Sequence, residues 1–503
     1  MYSVNIKVKP MITFQMLSIF LFSLFACAGE SANSSSEVGT MPAEEIEMSL
    51  EEKNKQTEPI MGGPADFSIK LTSSDISGQI RLIGFYFDQN FVMDTTSVQN
   101  GLIRFIKSEG YPQGLYYVAL PNNQFIQVIL SENQKFTMEV NPANLVATMK
   151  VDGSEENKVF YETIRFEERL NPQINGLAQK MQGKQESDPE FQNLKKERQK
   201  LEAERKEYLE NLAKKYPDFL FTKFKIGGQN PTVKENLPTE QQVHHYRKEF
   251  WDNVDFTDRR LLRTPMIGNK MKRYIKDITP QNPDSIFAAS KMLVDKVIKH
   301  PEYFKVIANW IVLEYEPTKT SLMDPEAVFV NMVNNYFTYE RAFWSDSVQT
   351  AAILKRAYEM SSSLVGQKAQ NIISNDPNGQ KQELYKKTAD YLIVYIYNPE
   401  CEHCMIETPK LHRYWLNNKN EIDVFAVAVD TDDTKWRNYI KKQNLSWTNV
   451  FDPTNRSIYA KYWVDITPEI YVLNKDRIII GKNLKADQVQ IIIDRDKEKK
   501  AKG

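Results

Sequence analysis

At 503 residues the chain is too long for one ordinary core, and two or three domains are expected besides any export segment. Its 65 lysines and arginines nearly cancel 66 aspartates and glutamates, so the electrostatic drive behind nonspecific nucleic-acid binding is missing and nucleic acid is set aside as a partner. The three cysteines, Cys27, Cys401 and Cys404, exclude a scaffold stapled by structural disulfides.

In chain order, residues 1–26 read as a signal peptide: Lys7 and Lys9 form a basic start and Met11–Phe25 an apolar stretch of suitable length. Leu24-Phe25-Ala26-Cys27 resembles the lipobox of bacterial lipoproteins, which implies acylation of Cys27 and a membrane anchor, although Phe25 is bulkier than the residue usual there. The plainer alternative is an A-x-A site, Ala26-Cys27-Ala28, cleaved after Ala28 to leave a soluble protein. No other run approaches the ~18 apolar residues of a membrane-spanning helix. Residues 27–65 are rich in Ser and Glu, end in Gly62-Gly63-Pro64 and lack apolar periodicity, as a solvated tether would.

From 66 to 153, the β-rich runs Ile80–Phe87, Leu115–Leu120 and Phe125–Leu130, with turn candidates at Asn100-Gly101 and Asn122-Asn123, predict a small antiparallel β domain. Residues 154–216 are helical and highly charged. Leu194, Leu201 and Tyr208 repeat every seven residues, but the second seam would be Glu197, Glu204 and Asn211. A long coiled coil is therefore not expected, and a single helix laying one narrow stripe on a neighbour is. Residues 217–364 are helical and aromatic, with Phe250-Trp251, Tyr303-Phe304 and Phe343-Trp344 read as core and His244, His245 and His300 as surface or packing residues.

From 365 to 500 strands and helices alternate. Tyr391–Tyr397 suits a central strand, Asn398-Pro399-Glu400 ends it, and Cys401-Glu402-His403-Cys404 opens a helix to about Asn417. Strands at Val424–Val429, Glu469–Leu473 and Arg477–Ile480 and a final helix from about Lys485 follow. The class is thus multidomain α+β and α/β.

A C-x-x-C at a strand-to-helix junction has a physical use. The first thiol lies over free helix N–H groups and the positive end of the dipole, which favours its thiolate. Bringing a cysteine from ~8.5 to neutral takes roughly 2 kcal/mol. The dipole offers about 0.3 to 2 kcal/mol, so His403, protonated or hydrogen-bonding, is a candidate for the remainder. Cys404 lies on the same side and can close the ring. Half of a zinc site is the other use, but a second cysteine pair is absent and His403 and His412 point to opposite faces of the helix. No metal and no cofactor is expected.

The segment Tyr397–Leu411 resembles thioredoxin-fold oxidoreductases, specifically the extracytoplasmic TlpA-like branch. Pro409, five residues after Cys404, stands where the family has the proline that kinks its active-site helix. Glu407, three after Cys404, stands where TlpA-like proteins carry an acidic residue implicated in proton transfer at the buried thiol. Thr467-Pro468, ahead of a strand, stands where the family has the cis-proline that faces the dithiol and presents backbone to the substrate. Two positions depart: Tyr395 replaces thioredoxin's buried aspartate, and Glu400 replaces the usual tryptophan and puts beside Cys401 a negative charge that should raise its pKa. The resemblance covers about 365–500. More loosely, the layout is similar to exported lipoproteins that append such a domain to a β-rich amino-terminal domain and a helical middle.

The resemblance implies a lipid-anchored, periplasm-facing enzyme of the cell envelope, acting on a protein disulfide and recharged by a redox partner. Cys401 would attack, Cys404 would resolve the mixed disulfide and Glu407 would take its proton, with Glu402, His403, Thr467 and Pro468 bordering the substrate. Reduction is the expected direction, although His403 resembles the residue of more oxidising members. Without the resemblance, Glu407 is a solvated helix residue and Pro468 a trans turn proline, since only ~5% of X-Pro bonds are cis. The rival is a binding or scaffold lipoprotein in which residues 65–360 do the work and the thioredoxin-like end is vestigial or senses redox state.

Overall fold

The computed structural model describes residues 48–502 without 73–74, 235, 318–319, 321, 453–455 and 465, so the leader-like segment and Cys27 lie outside the described residues. The chain forms two compact units, one ending at Tyr274 and one starting at Ile275, a boundary that falls inside the segment 217–364 expected as one helical domain. No helix among the described residues is long and apolar enough to cross a membrane.

The first unit opens with the short helix α1 (Leu50–Lys55), started by a capping box between Ser49 and Glu52. Strands β1 (Ala65–Leu71), β2 (Gln79–Tyr86), β3 (Gln89–Ser97), β4 (Leu102–Lys107), β5 (Gly114–Ala119), β6 (Phe125–Leu130), β7 (Lys135–Val140) and β8 (Lys150–Asp152) follow, with α2 (Leu145–Thr148) before the last. They form two four-stranded sheets, ordered β3-β2-β5-β6 and β4-β1-β7-β8. Period-two burial sets the faces: Ala65, Phe67, Ile69 and Leu71 point inward, and Phe67 stacks on Phe105 and Phe136 at 5.2 Å. Asn100 and Gly101 take φ of 52° and 74° between β3 and β4, as a two-residue turn requires. The domain departs from a purely antiparallel one at a single pairing: β1 and β7 run parallel, Phe67 opposite Phe136. They are far apart in sequence, and the chain visits the other sheet between them, which a crossover needs.

Two helices of 27 residues, α3 (Glu155–Met181) and α4 (Pro189–Lys215), then fold back on each other. Phe166 stacks on Tyr208 at 4.0 Å, and Arg169 bridges Glu204 at 2.7 Å, so numbering rises along one helix as it falls along the other. The stripe on α4 is narrow, with Leu209 and Leu212 its buried residues. Helices α5 (Leu220–Gly227), α6 (Thr239–Glu249) and α7 (Pro265–Lys272) end the unit.

The second unit starts with α8 (Pro283–Val297), α9 (Pro301–Glu314), α10 (Pro325–Tyr336) and α11 (Ser347–Ser361), the first three carrying proline in the first turn, where its missing N–H is not needed. Their core is aromatic: Phe304 lies edge-on to Tyr336 and Trp344 at 6.2 and 5.0 Å. A hairpin of β9 (Ile373–Asn375) and β10 (Lys381–Glu383) leads into a five-stranded sheet of β11 (Tyr391–Tyr397), β12 (Ile422–Val429), β13 (Thr448–Asp452), β14 (Glu469–Leu473) and β15 (Ile479–Gly481). Its order is β13-β12-β11-β14-β15. The first three strands run parallel and the last two antiparallel to their neighbours. Helices α12 (Glu402–Asn417), α13 (Asp433–Gln443), α14 (Arg456–Tyr462) and α15 (Val489–Lys502) accompany it.

Every residue of β11 is buried because both faces of the sheet are covered. Tyr391, Ile393, Tyr395 and Tyr397 share one core with Leu411 and Trp415 of α12. Leu392, Val394 and Ile396 share the other with Ile458 and Tyr462 of α14.

A buried ionic cluster ties α10 to this sheet. Lys482, fully buried after β15, reaches Glu326 Oε1 at 3.2 Å and Asp324 Oδ1 at 3.9 Å. The Glu469 carboxylate adds a third negative group to the lysine's surroundings and accepts from Tyr471 Oη at 2.5 Å. Burial pushes the Asp324 carboxyl up to about 6, against the pull of Lys482.

Candidate functional site: a dithiol at the mouth of a helix

At the carboxyl end of β11 the side chain of Asn398 accepts the Glu400 N–H at 2.8 Å, its amide donates to the Asp430 carbonyl at 3.1 Å, and the turn delivers Cys401 to the start of α12. Cys401 is itself the N-cap, with φ −77° and ψ 125°, and its Sγ accepts the Cys404 N–H at 3.4 Å. From the other side, the Thr467–Pro468 peptide is cis and the Thr467 carbonyl accepts from Cys401 Sγ at 3.2 Å. The C-x-x-C and the Thr-Pro pair, 66 residues apart, therefore meet at one sulfur.

The two free thiols are unlike. Cys401 is partly exposed and Cys404 fully buried. Partial burial works against ionising Cys401, but hydrogen bonds from the Cys404 thiol and backbone N–H outweigh it and hold the Cys401 thiol below its ordinary value. Burial pushes the Cys404 thiol up to about 12. One sulfur is poised to attack and its neighbour to keep its proton.

His403 and Glu402 are exposed on the first turn. The His403 backbone N–H, not its imidazole, is among the groups that favour the Cys401 thiolate. Glu400 pairs with Lys435 at 2.9 Å, an exposed pair, so the predicted repulsion on Cys401 is countered locally. Glu407 accepts from the Ala486 N–H at 3.0 Å and from Lys410 Nζ at 2.8 Å, and among the described residues none of its hydrogen bonds runs to Cys404. These contacts overcome its partial burial and hold its carboxyl below the usual range. Pro409 lies inside α12.

Hydroxyls surround the Cys404 backbone, two of them, on Thr408 and Tyr439, passed over by sequence reasoning. Thr408 Oγ1 donates to the Cys404 carbonyl at 2.7 Å, Tyr439 Oη donates to Thr408 Oγ1 at 2.9 Å, and Tyr395 Oη lies 2.7 Å from the same oxygen. Tyr397 stacks on Tyr395 at 5.2 Å. Thr408 was findable, being four residues after Cys404 on one helix face. Tyr439 was not, since it arrives from α13. Next to Cys404 and Thr467 in the chain, Met405, Ile406 and Ile466 are apolar and 42, 56 and 58% exposed.

Residues 365–482 match the AhpC/TSA family. A domain from Cytophaga hutchinsonii, described as part of a possible thiol-disulfide isomerase, is 31% identical over 28% of this chain and 97% of that one, with a TM-score of 0.27. A thioredoxin-like protein from Bacteroides caccae is 19% identical over 53% of this chain and 97% of that one, with a TM-score of 0.44. A secreted disulfide oxidoreductase of Mycobacterium tuberculosis is 19% identical over 25% and 95%, with a TM-score of 0.23. None of the curated proteins matches the chain. The family match over residues 365–482, with a C-x-x-C capping the helix after the central strand, identifies the carboxyl-terminal domain as a thioredoxin-fold domain that matches the AhpC/TSA family.

Proposed function

We propose that the chain is an extracytoplasmic, TlpA-type oxidoreductase that reduces protein disulfides through Cys401 and Cys404. The observation that carries this is the unequal dithiol: an approachable sulfur held toward its thiolate, a sealed one held as thiol, and the Thr467 carbonyl, ahead of the cis proline, against the first. The Cys401 thiolate attacks a substrate disulfide, forming a mixed disulfide and releasing one substrate thiolate. Cys404 then gives up its proton and attacks Cys401 Sγ, which leaves Cys401–Cys404 oxidised and frees the second substrate sulfur. The chain's own disulfide must be reduced by an external dithiol partner before the next cycle. The Thr467–Pro468 backbone and the Met405, Ile406 and Ile466 side chains hold the substrate segment. The amino-terminal leader and a lipid on Cys27 belong to the same reading and place the enzyme on the envelope, facing the periplasm.

Trapping tests it. The Cys404→Ser chain is expected to accumulate partners as mixed disulfides on Cys401, releasable by dithiothreitol and made up of envelope proteins. Partition of that same material into detergent would report the anchor. If Cys401 carries no partner, or carries cytoplasmic proteins, the substrate class and the compartment are both wrong.

Glu407 as the acceptor of the Cys404 proton is tested by Glu407→Gln. A proton acceptor would show as slowed resolution and a lost limb in its pH profile. Its ties to Ala486 and Lys410 favour a structural part instead: a stability loss of about 1 kcal/mol with the resolution rate within about threefold of the parent.

A further inference from the structure

The amino-terminal unit holds a cavity of about 320 Å³ between α5 and α7 whose wall is basic. Arg205, Lys225, Lys270 and Arg273 line it, and no described lining residue is a carboxylate. Lys225 is neutralised by Glu167 at 2.6 Å, and Arg205 shares the same carboxylate at 3.9 Å. Lys270 has no such partner among the described residues. It is only 6% exposed, its ammonium lies 4.3 Å from the centre of the Phe250 ring, and its one hydrogen bond goes to the Gln229 carbonyl at 2.9 Å. Arg273 donates to the Tyr246 hydroxyl at 3.3 Å. Arg205 Nε is buried without a hydrogen bond.

An ammonium taken out of water without a counterion is costly, and proteins keep such a group where a ligand supplies the missing charge. Burial and the charge of Arg273 already pull the Lys270 ammonium down to about 8, so a neighbouring anion would restore its affinity for the proton. The apolar part of the wall is Phe224, Phe250 and Met266. We propose that this cavity binds a small organic anion, its phosphate or carboxylate group on Lys270 and Arg273 and its apolar body against Phe224 and Phe250. The volume is at the low end of small-molecule sites, roughly 300 to 1,000 Å³, which suits a one-ring ligand. Every lining residue belongs to the amino-terminal unit.

Calorimetry on the full chain with phenyl phosphate and benzoate tests the proposal, supported by fluorescence of Trp251, whose ring lies 5.9 Å from Lys270 Nζ. One saturable site is expected for at least one of the two anions, with phenol binding at least about tenfold more weakly. The winning anion identifies the head group. Arg273→Gln, an exposed change that the fold will tolerate, and Lys270→Met should each weaken binding at least about tenfold with the melting curve still cooperative. Absence of saturable binding by both anions overturns the proposal, as does binding that Arg273→Gln leaves unchanged.

Discussion

Exchanging Cys401 for serine should lower dithiothreitol-driven reduction of a protein disulfide by at least about a thousandfold, because the nucleophile itself is lost and among the described residues no second thiol is exposed to replace it. In the parent chain the rate should rise with pH as the Cys401 thiolate forms, with its midpoint at a lower pH than for an unperturbed cysteine, since Cys401 is held below its ordinary value. Cys404, pushed up to about 12, adds no second rise in the physiological range. Rapid alkylation against pH, followed for each cysteine, reads both groups. Retention of reduction by the serine variant would remove the mechanism, and a Cys401 that alkylates only above the free-cysteine range would remove its activation.

The second large effect is on stability. Lys482→Met leaves Asp324, Glu326 and Glu469 buried together without their cation, and should cost about 3 to 5 kcal/mol at neutral pH in urea unfolding. The sign of the pH dependence follows from the raised carboxyl. Asp324 binds its proton more tightly folded, near 6, than an exposed aspartate at ~3.9 does. Its burial therefore disfavours the fold above about 6, and the penalty is relieved as pH falls from there toward 4. Removing the lysine raises this group's proton affinity further, so the gap between variant and parent should narrow on acidification. A loss under about 1 kcal/mol, or a gap that widens in acid, would show that the cluster does not hold α10 to the sheet.

How much could be foreseen depended on the range of the interaction. The seven apolar residues of β11 announce a strand covered on both faces and the Cys401 cap is a local pattern with few alternatives, whereas the cis Thr467–Pro468 bond was legible only through the family resemblance. What failed to show depends on partners distant in sequence. Glu407 looked free for proton transfer because Ala486, the N–H it accepts, is 79 residues away. The charges of α3 and α4 obscured a helical hairpin whose apolar stripe on α4 is narrow and which polar contacts such as Arg169 with Glu204 and Thr163 with Tyr208 help to close. A lysine is usually at the surface, and Lys482 is inside because Asp324 and Glu326 at the start of α10 and Glu469 on β14 surround it with negative charge. Tyr395 stood out as a missing aspartate, yet its hydroxyl partner Thr408 and the neighbouring Tyr439 come from two other elements.

The sulfur that attacks is also the knot that fastens α12, since Cys401 Sγ receives the Cys404 amide. Whenever that sulfur becomes bonded to another, it surrenders its negative charge, and the helix loses the anion sitting on its positive end. On the proposed mechanism the opening turn of α12 is then held less firmly, by about 0.3 to 1 kcal/mol, until the thiolate returns.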